Sequence, residues 1–156
     1  MIKNNVTRML DAHNIHYHVH QLPLEKLSAA EVAAILELPP AIVFKTIVVT
    51  RLNQGKDILA VVPGPSEVDL KSLAKVVGEK KVKLATEHQA EKKTGLQVGG
   101  ISPLALINRG FQVVLDASAQ NHTHIFISGG QRGLEISLSP QDIIRLINAK
   151  IVNICK

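Results

Sequence analysis

The sequence predicts a mixed α/β fold of the α+β kind, in a single domain that spans residues 1–156. Segments with helical hydrophobic spacing alternate along the chain with segments of strand-like spacing. The length of 156 residues suits one hydrophobic core and is short for two. No repeat, linker or low-complexity stretch divides the chain. We therefore expect one mixed, barrel-like sheet flanked by helices.

The first quarter of the chain predicts a helix, a strand and a second helix. Apolar residues at helical spacing over 6–10 indicate the first helix, and residues 16–20 alternate as a half-buried strand does. Ser28 and Glu31 form a capping-box pair that starts the second helix. Pro39 and its neighbour end that helix, because proline cannot continue the hydrogen-bond ladder.

The next segments predict a hairpin and a third helix. Residues 43–52 and 58–63 are rich in β-branched residues and flank a polar turn, which predicts two central strands. Asp69 is a suitable cap for a helix that ends near Gly78.

The second half repeats these signals. Thr86 and Gln89 predict a capped helix that ends near Gly95. Ser139 precedes a proline and predicts the start of a last helix. Strands are expected at residues 111–115, 124–127, 134–138 and, closing the sheet, 151–154.

The composition limits the kinds of partner. Aromatic residues make up only 3% of the chain, so recognition of bases by aromatic stacking is not expected. Lysine and arginine outnumber acidic residues by 18 to 13, a formal charge of +5. This excess favours an anionic partner such as RNA or a nucleotide phosphate, although it equally suits plain solubility.

The sequence also bears on the cellular compartment. A single cysteine, Cys155, excludes an intrachain disulfide. The N-terminal residues lack the apolar segment of a secretion signal, and no apolar run is long enough to span a bilayer. These features predict a cytoplasmic protein without membrane contact.

Two groups of side chains invite a chemical interpretation that we do not favour. His16, His18 and His20 fall on one face of a predicted strand. Such a row either binds a metal ion or faces solvent. They would spread over about 13 Å along a straight strand, so we expect no metal site. Cys155 lies next to the chain end, where a preorganised nucleophile is difficult to build, and we expect an ordinary thiol.

Lys45 is the more informative candidate. It interrupts an apolar strand, so it either points outward to solvent or is held inside for a ligand. Two glycine-containing segments, residues 98–103 and 128–133, can bring main-chain donors close to a ligand. Together with the basic run at residues 80–83, they suggest a small pocket for a charged ester.

These motifs, in this order, resemble the YbaK/EbsC family of bacterial aminoacyl-tRNA editing proteins, and within it the Cys-tRNA(Pro) deacylase branch. The resemblance runs nearly end to end. Its segments are residues 44–46, 69–71, 80–82, 94–95, 98–103 and 128–134. It implies a fold related to the editing domain of bacterial prolyl-tRNA synthetases.

The resemblance also implies site residues. It assigns catalytic roles to Lys45 and Gly100, and substrate-binding roles to Thr46, Ile101, Ser128, Gly129 and Glu135. The chain departs from the family pattern at two positions. Leu22 stands where some relatives have tyrosine, and Glu135 stands where they have aspartate.

The implied activity is hydrolysis of mischarged Cys-tRNA(Pro), and also of Cys-tRNA(Cys), without a cofactor. The thiol of the cysteinyl substrate would attack its own ester, so the protein needs only to orient and polarise it. The partners implied are a mischarged tRNA and prolyl-tRNA synthetase. Two alternatives stay open: a deacylase for Ala-tRNA(Pro) or another small aminoacyl-tRNA, and a non-catalytic module that binds RNA or protein. The oligomeric state is left open.

Overall fold

The computed structural model describes residues 3–156. Its helices are α1 (Asn5–Ala12), α2 (Ala29–Leu36), α3 (Leu70–Val76), α4 (Glu87–Thr94) and α5 (Pro140–Ile147). Its strands are β1 (Tyr17–Gln21), β2 (Phe44–Arg51), β3 (Ile58–Pro63), β4 (Val82–Leu84), β5 (Gln112–Asp116), β6 (Ile125–Ser128), β7 (Leu134–Leu138) and β8 (Lys150–Val152). Among these residues, no helix has the length and apolarity needed to cross a membrane.

The strands of the described residues form two sheets. The larger has the order β4-β2-β3-β5-β8, and the smaller has the order β1-β7-β6. The pairs β2–β3 and β2–β4 are antiparallel, whereas β5 runs parallel to both β3 and β8. The α+β class is confirmed, but the barrel-like sheet is not, because the sheets do not join into a closed ladder. β2 meets β6 only at an isolated bridge between Val43 and Phe126.

The helices begin where the sequence predicts. Ser28 and Thr86 each accept a hydrogen bond from the main chain three residues on, and the side chain there returns one. Asp69 accepts the N–H groups of Lys71 and Ser72, and Ser139 caps α5 ahead of its proline. These side chains satisfy donors that a helix start leaves unpaired, so local sequence alone positions the helices.

β3 is buried on both faces and organises the core. Leu59 and Val61 face the apolar cluster that includes the smaller sheet, whereas Ile58, Ala60 and Val62 face the cluster under α3. Because β3 is central, its hairpin partner β2 lies one strand nearer the edge of the sheet. This arrangement leaves part of β2 available to a ligand.

Arg51 fixes the far end of the β2–β3 hairpin. Its guanidinium donates to the Val77 carbonyl at 3.1 Å and to Glu79 at 2.8 Å, and also to Lys56 and Gln112. The Arg51 and Glu79 side chains are 11% and 12% exposed, so this is a largely buried ion pair. It is a structural element away from the candidate site.

Candidate functional site

Lys45 lies near the start of β2 and is partly buried. Strand alternation directs it to the α3 side of the sheet, together with Ile47 and Val49, because successive side chains point to opposite faces. Its ammonium donates to the Gly64 carbonyl at 2.9 Å. An ammonium has three donors, so two remain for a ligand. The side chain is thus held at a fixed position by a main-chain acceptor.

The edge of β2 is open at Thr46. This residue lies between the bridge of Val43 with Phe126 and the start of the pairing with β4. On the same edge, the Val48 carbonyl accepts the Ala85 N–H at 3.0 Å. Alternate residues of an antiparallel strand direct their N–H and C=O groups to the same edge. Thr46 therefore presents a main-chain donor and acceptor where the cleft begins.

The loop at residues 98–103 forms one wall, although not through Gly100. Gly99 and Ile101 line the cleft, whereas Gly100 is buried behind it. The Gly100 N–H donates to the Gln97 carbonyl at 2.8 Å, so this N–H group is already engaged within the protein. A Cβ at Gly100 would lie 2.9 Å from the main chain of Gln131. Gly100 instead lets the two glycine-containing loops pack together.

At the end of β6, one of the predicted site residues lines the cleft and the next does not. Ser128 lines the cleft, and its hydroxyl accepts the Gly130 N–H at 3.2 Å. Gly129 is buried and does not line the cleft. Its N–H donates to the Leu134 carbonyl, and its own carbonyl accepts Asn4. Gly129 is thus a packing residue here, because a Cβ would lie 2.6 Å from Leu134.

Glu135 is a buried carboxyl group at the cleft. It is 5% exposed and lies opposite Ser128 in the β6–β7 register and opposite His20 in the β1–β7 register. Directly paired residues project to the same face, so the three side chains form one row across the small sheet. Burial raises the pKa of Glu135 to about 8, and no neighbouring charge among the described residues offsets it. At neutral pH most molecules therefore carry a proton here.

These residues meet around one cleft of about 230 Å³. The resemblance assigns seven site residues, and five of them line this cleft: Lys45, Thr46, Ile101, Ser128 and Glu135. The start of α2 also lines the cleft, which the sequence reasoning missed, through Leu27, Ser28, Ala29 and Val32. The capping box reveals that a helix begins there but not what it packs against. The close approach of Ala29 to Gly64, beside Lys45, is a tertiary contact.

The other sequence candidates lie elsewhere. His16 and His18 are exposed, while His20 contacts Ser137 at 3.0 Å. No group of three or more metal-ligating side chains forms a site within residues 3–156. Burial, and after it the charge of Asp116, raise the pKa of Cys155 to about 11, which disfavours the reactive thiolate.

Basic side chains outside the cleft differ in their availability to an anionic ligand. Lys93 pairs with Asp57 at 2.8 Å, and Arg132 donates to the Val98 carbonyl at 2.8 Å. The three lysines of the basic run, at positions 80, 81 and 83, are exposed beside or on the edge strand β4. This short edge therefore presents positive charge to solvent.

A family model and two curated proteins match this chain. Residues 25–146 match the model described as the aminoacyl-tRNA editing domain. EbsC of Enterococcus faecalis, whose provisional name is Cys-tRNA(Pro)/Cys-tRNA(Cys) deacylase, is 36% identical over 97% of this chain and 93% of its own length. A proline–tRNA ligase of Trichlorobacter lovleyi is 29% identical over 80% of this chain. This chain matches only 23% of the length of that ligase.

Solved structures share the fold. A hypothetical protein superimposes with a TM-score of 0.89 at 23% identity, covering 98% of this chain and 100% of its own. A structure described, again provisionally, as a trans-editing enzyme for prolyl-tRNA synthetase has a TM-score of 0.82 at 21% identity. It covers 100% of this chain and 99% of its own. At these identities the similarity establishes the fold.

Proposed function

This chain belongs to the aminoacyl-tRNA editing domain family, and from that premise we propose that it hydrolyses the ester of mischarged Cys-tRNA(Pro), and also of Cys-tRNA(Cys). One observation supports this most: an ammonium, a carboxyl group, a hydroxyl and an open strand edge meet around a cleft of about 230 Å³. A space of this size suits the aminoacyl group of a tRNA. The reaction would take place in the cytoplasm.

The proposed reaction uses the thiol of the substrate. Its sulfur attacks the ester carbonyl carbon, the C–S bond forms, and the C–O bond to the 3′ oxygen breaks. The thiol proton ends on the departing 3′ hydroxyl, so atoms and charges balance. Well-aligned intramolecular attack can gain about 7–11 kcal/mol over a bimolecular step, so no protein nucleophile is required. Water then hydrolyses the thioester and releases cysteine.

The cleft residues have complementary roles in this proposal. Lys45 has two free donors and stabilises the negative charge that develops on the ester oxygens. The Thr46 main chain takes over the donor role expected of Gly100, whose N–H is engaged by Gln97. Ser128 orients the amino acid. Glu135 binds a polar group of the substrate and, being protonated at neutral pH, can pass its proton to the departing oxygen and take up the thiol proton in exchange.

The test is deacylation of Cys-tRNA(Pro) by wild type and by Lys45→Met. We expect kcat/KM to fall at least about 100-fold, as when one preorganised donor is removed from a reacting oxygen. Lys75→Met is the matched control, because Lys75 is an exposed lysine outside the cleft. Undiminished turnover by Lys45→Met would refute the proposed role of this residue.

Substrate identity tests the thiol mechanism. Cysteinyl, seryl and alanyl esters of tRNA(Pro) differ only in the amino acid, so preferential loss of cysteine supports attack by sulfur. Equal rates would favour attack by water, and a preference for alanine would favour an Ala-tRNA(Pro) deacylase. Binding of all three without cleavage would indicate a binding module. Repeating the panel with prolyl-tRNA synthetase tests whether this partner selects the tRNA.

A further inference from the structure

A second cleft adjoins the first one at Lys45. It has a volume of about 510 Å³, and Lys45 and Ile47 belong to the linings of both clefts. We propose, building on the function above, that this second cleft binds the 3′-terminal adenosine nucleotide of the tRNA. The smaller cleft then binds the aminoacyl group, and the ester lies beside Lys45.

Volume supports this division. Sites that enclose a drug-sized ligand usually measure about 300–1,000 Å³. The smaller cleft, at about 230 Å³, is below that range and has room for an amino acid but not for an attached nucleoside. The second cleft falls within the range. A ligand with its acyl end in the first cleft must continue past the shared wall.

The apolar part of the second cleft suits a base. Ile47, Val68, Leu70 and Leu84 supply aliphatic surface, and none of its lining residues is aromatic. Leu84 is 47% exposed at the end of β4, so a large apolar side chain faces solvent here. A base packed against these side chains would remove apolar area from water on both partners. This mode needs no aromatic platform, in agreement with the low aromatic content of the chain.

The charged part of the cleft suits the phosphate. Lys45, Lys71 and Lys156 line it together with Glu67 and Asp69. Asp69 is already engaged as the cap of α3, and Glu67 pairs with Lys156 at 3.4 Å.

Lys71 has a free ammonium. It is exposed and forms no ion pair with any of residues 3–156. It is therefore the lysine available to the phosphate that joins the terminal adenosine to the preceding nucleotide. Contacts of this kind position a nucleic acid without reading its sequence.

The test compares two variants of the second cleft with matched controls. Leu84→Gln removes apolar surface and Lys71→Gln removes a phosphate contact. Leu52→Gln and Lys75→Gln change exposed residues of the same kinds outside both clefts. KM and kcat are measured for Cys-tRNA(Pro) over a range of salt concentrations.

We expect KM to rise about tenfold for Leu84→Gln with kcat unchanged, because contact with the nucleoside is the same before and during reaction. Lys71→Gln should also raise KM and should reduce the salt dependence of log KM by about 0.7, the value for one contact to a single strand. The controls should match wild type. If both cleft variants also match wild type while Lys45→Met is inactive, the nucleotide binds elsewhere and the proposed function stands.

A binding measurement separates this inference from the activity. Adenosine 5′-monophosphate is titrated into the protein while methyl signals of isoleucine and leucine are followed by NMR. Shifts at Ile47, Leu70 and Leu84 of the wild type, with those at Ile47 and Leu70 lost in Leu84→Gln, support the site, even if no aminoacyl-tRNA is hydrolysed. Absence of shifts at these methyl groups, or shifts confined to other regions, would overturn it.

Discussion

Replacing Glu135 by glutamine tests the description of this residue as a buried, protonated carboxyl. The pKa of Glu135 is raised by burial from the ordinary value of 4.5 to about 8. The folded state therefore binds this proton more tightly than the unfolded state does. It follows that the free energy of unfolding decreases as pH rises from about 4.5 to about 8, and levels off above that value.

The size of the effect follows from the two pKa values. The interval from 4.5 to about 8, at about 1.4 kcal/mol for each pH unit, gives a ceiling of about 5 kcal/mol. Relaxation around the ionised carboxylate reduces this penalty, and we expect a loss of about 2–4 kcal/mol between pH 5 and pH 9. Glutamine has the same shape but no charge, so Glu135→Gln should lack this loss.

The assay is urea denaturation of both proteins at pH 5, 7 and 9. The pKa of His20 is lowered by burial and by His18, which makes stability rise with pH below about 6.5 and opposes the Glu135 effect. Subtracting the unfolding free energy of the variant from that of the wild type at each pH removes most of the His20 contribution. Glu25→Gln, at an exposed loop position, is the control for exchanging a carboxyl group for an amide. If the difference in unfolding free energy between wild type and Glu135→Gln is the same at pH 5 and pH 9, the raised pKa of Glu135 is refuted.

Three further predictions concern packing and stability, each checked by urea denaturation. Gly100→Ala should lower the free energy of unfolding by about 1–3 kcal/mol, because its Cβ would overlap the main chain of Gln131 at 2.9 Å. Unchanged stability would mean that the two loops are not in contact. Arg51→Met should lose about 3–5 kcal/mol, since it leaves Glu79 buried without its partner. The double variant with Glu79→Leu should recover part of that loss, and no recovery would contradict the buried pair. Asn4→Ala should lose about 1–2 kcal/mol as a helix cap. Asn4→Asp should lose less stability, because aspartate keeps the oxygen that caps the helix and lacks only the N–H donor to Gln131 and its loop. Equal losses of stability in the two variants would argue against capping.

Local signals in the sequence predicted most helices and strands. The capping pair of Thr86 and Gln89 starts α4, and Gly95 ends it in a left-handed conformation. Residues 134–138 form β7 with the expected bounds. These predictions succeed because caps and strand alternation depend on neighbours within a few residues. The bounds of β5 and β6 differ by about one residue from those expected, as is usual at strand ends.

The sequence was less informative about the site, for reasons of distance along the chain. Gly100 and Gly129 belong to loops whose neighbouring residues line the cleft, but whether their own N–H groups face a ligand depends on Gln97 and Leu134. The wall supplied by the start of α2 has no signal of its own, because packing between separate segments is not encoded in spacing. For the same reason, the sequence did not show that the two sheets do not close into a barrel, because closure depends on how distant strands pair.

By itself, the sequence determined most of the secondary structure, although not β4, together with the α+β class, the family resemblance and the segments from which a site would be built. Tertiary structure decided which part of the β2 edge stays open, which glycine N–H groups are engaged within the protein, and that two clefts share Lys45. It also raised the pKa of Glu135, because desolvation depends on everything that surrounds a group. Spacing along a chain fixes local hydrogen bonds, whereas burial and shared cavities arise only when distant segments meet.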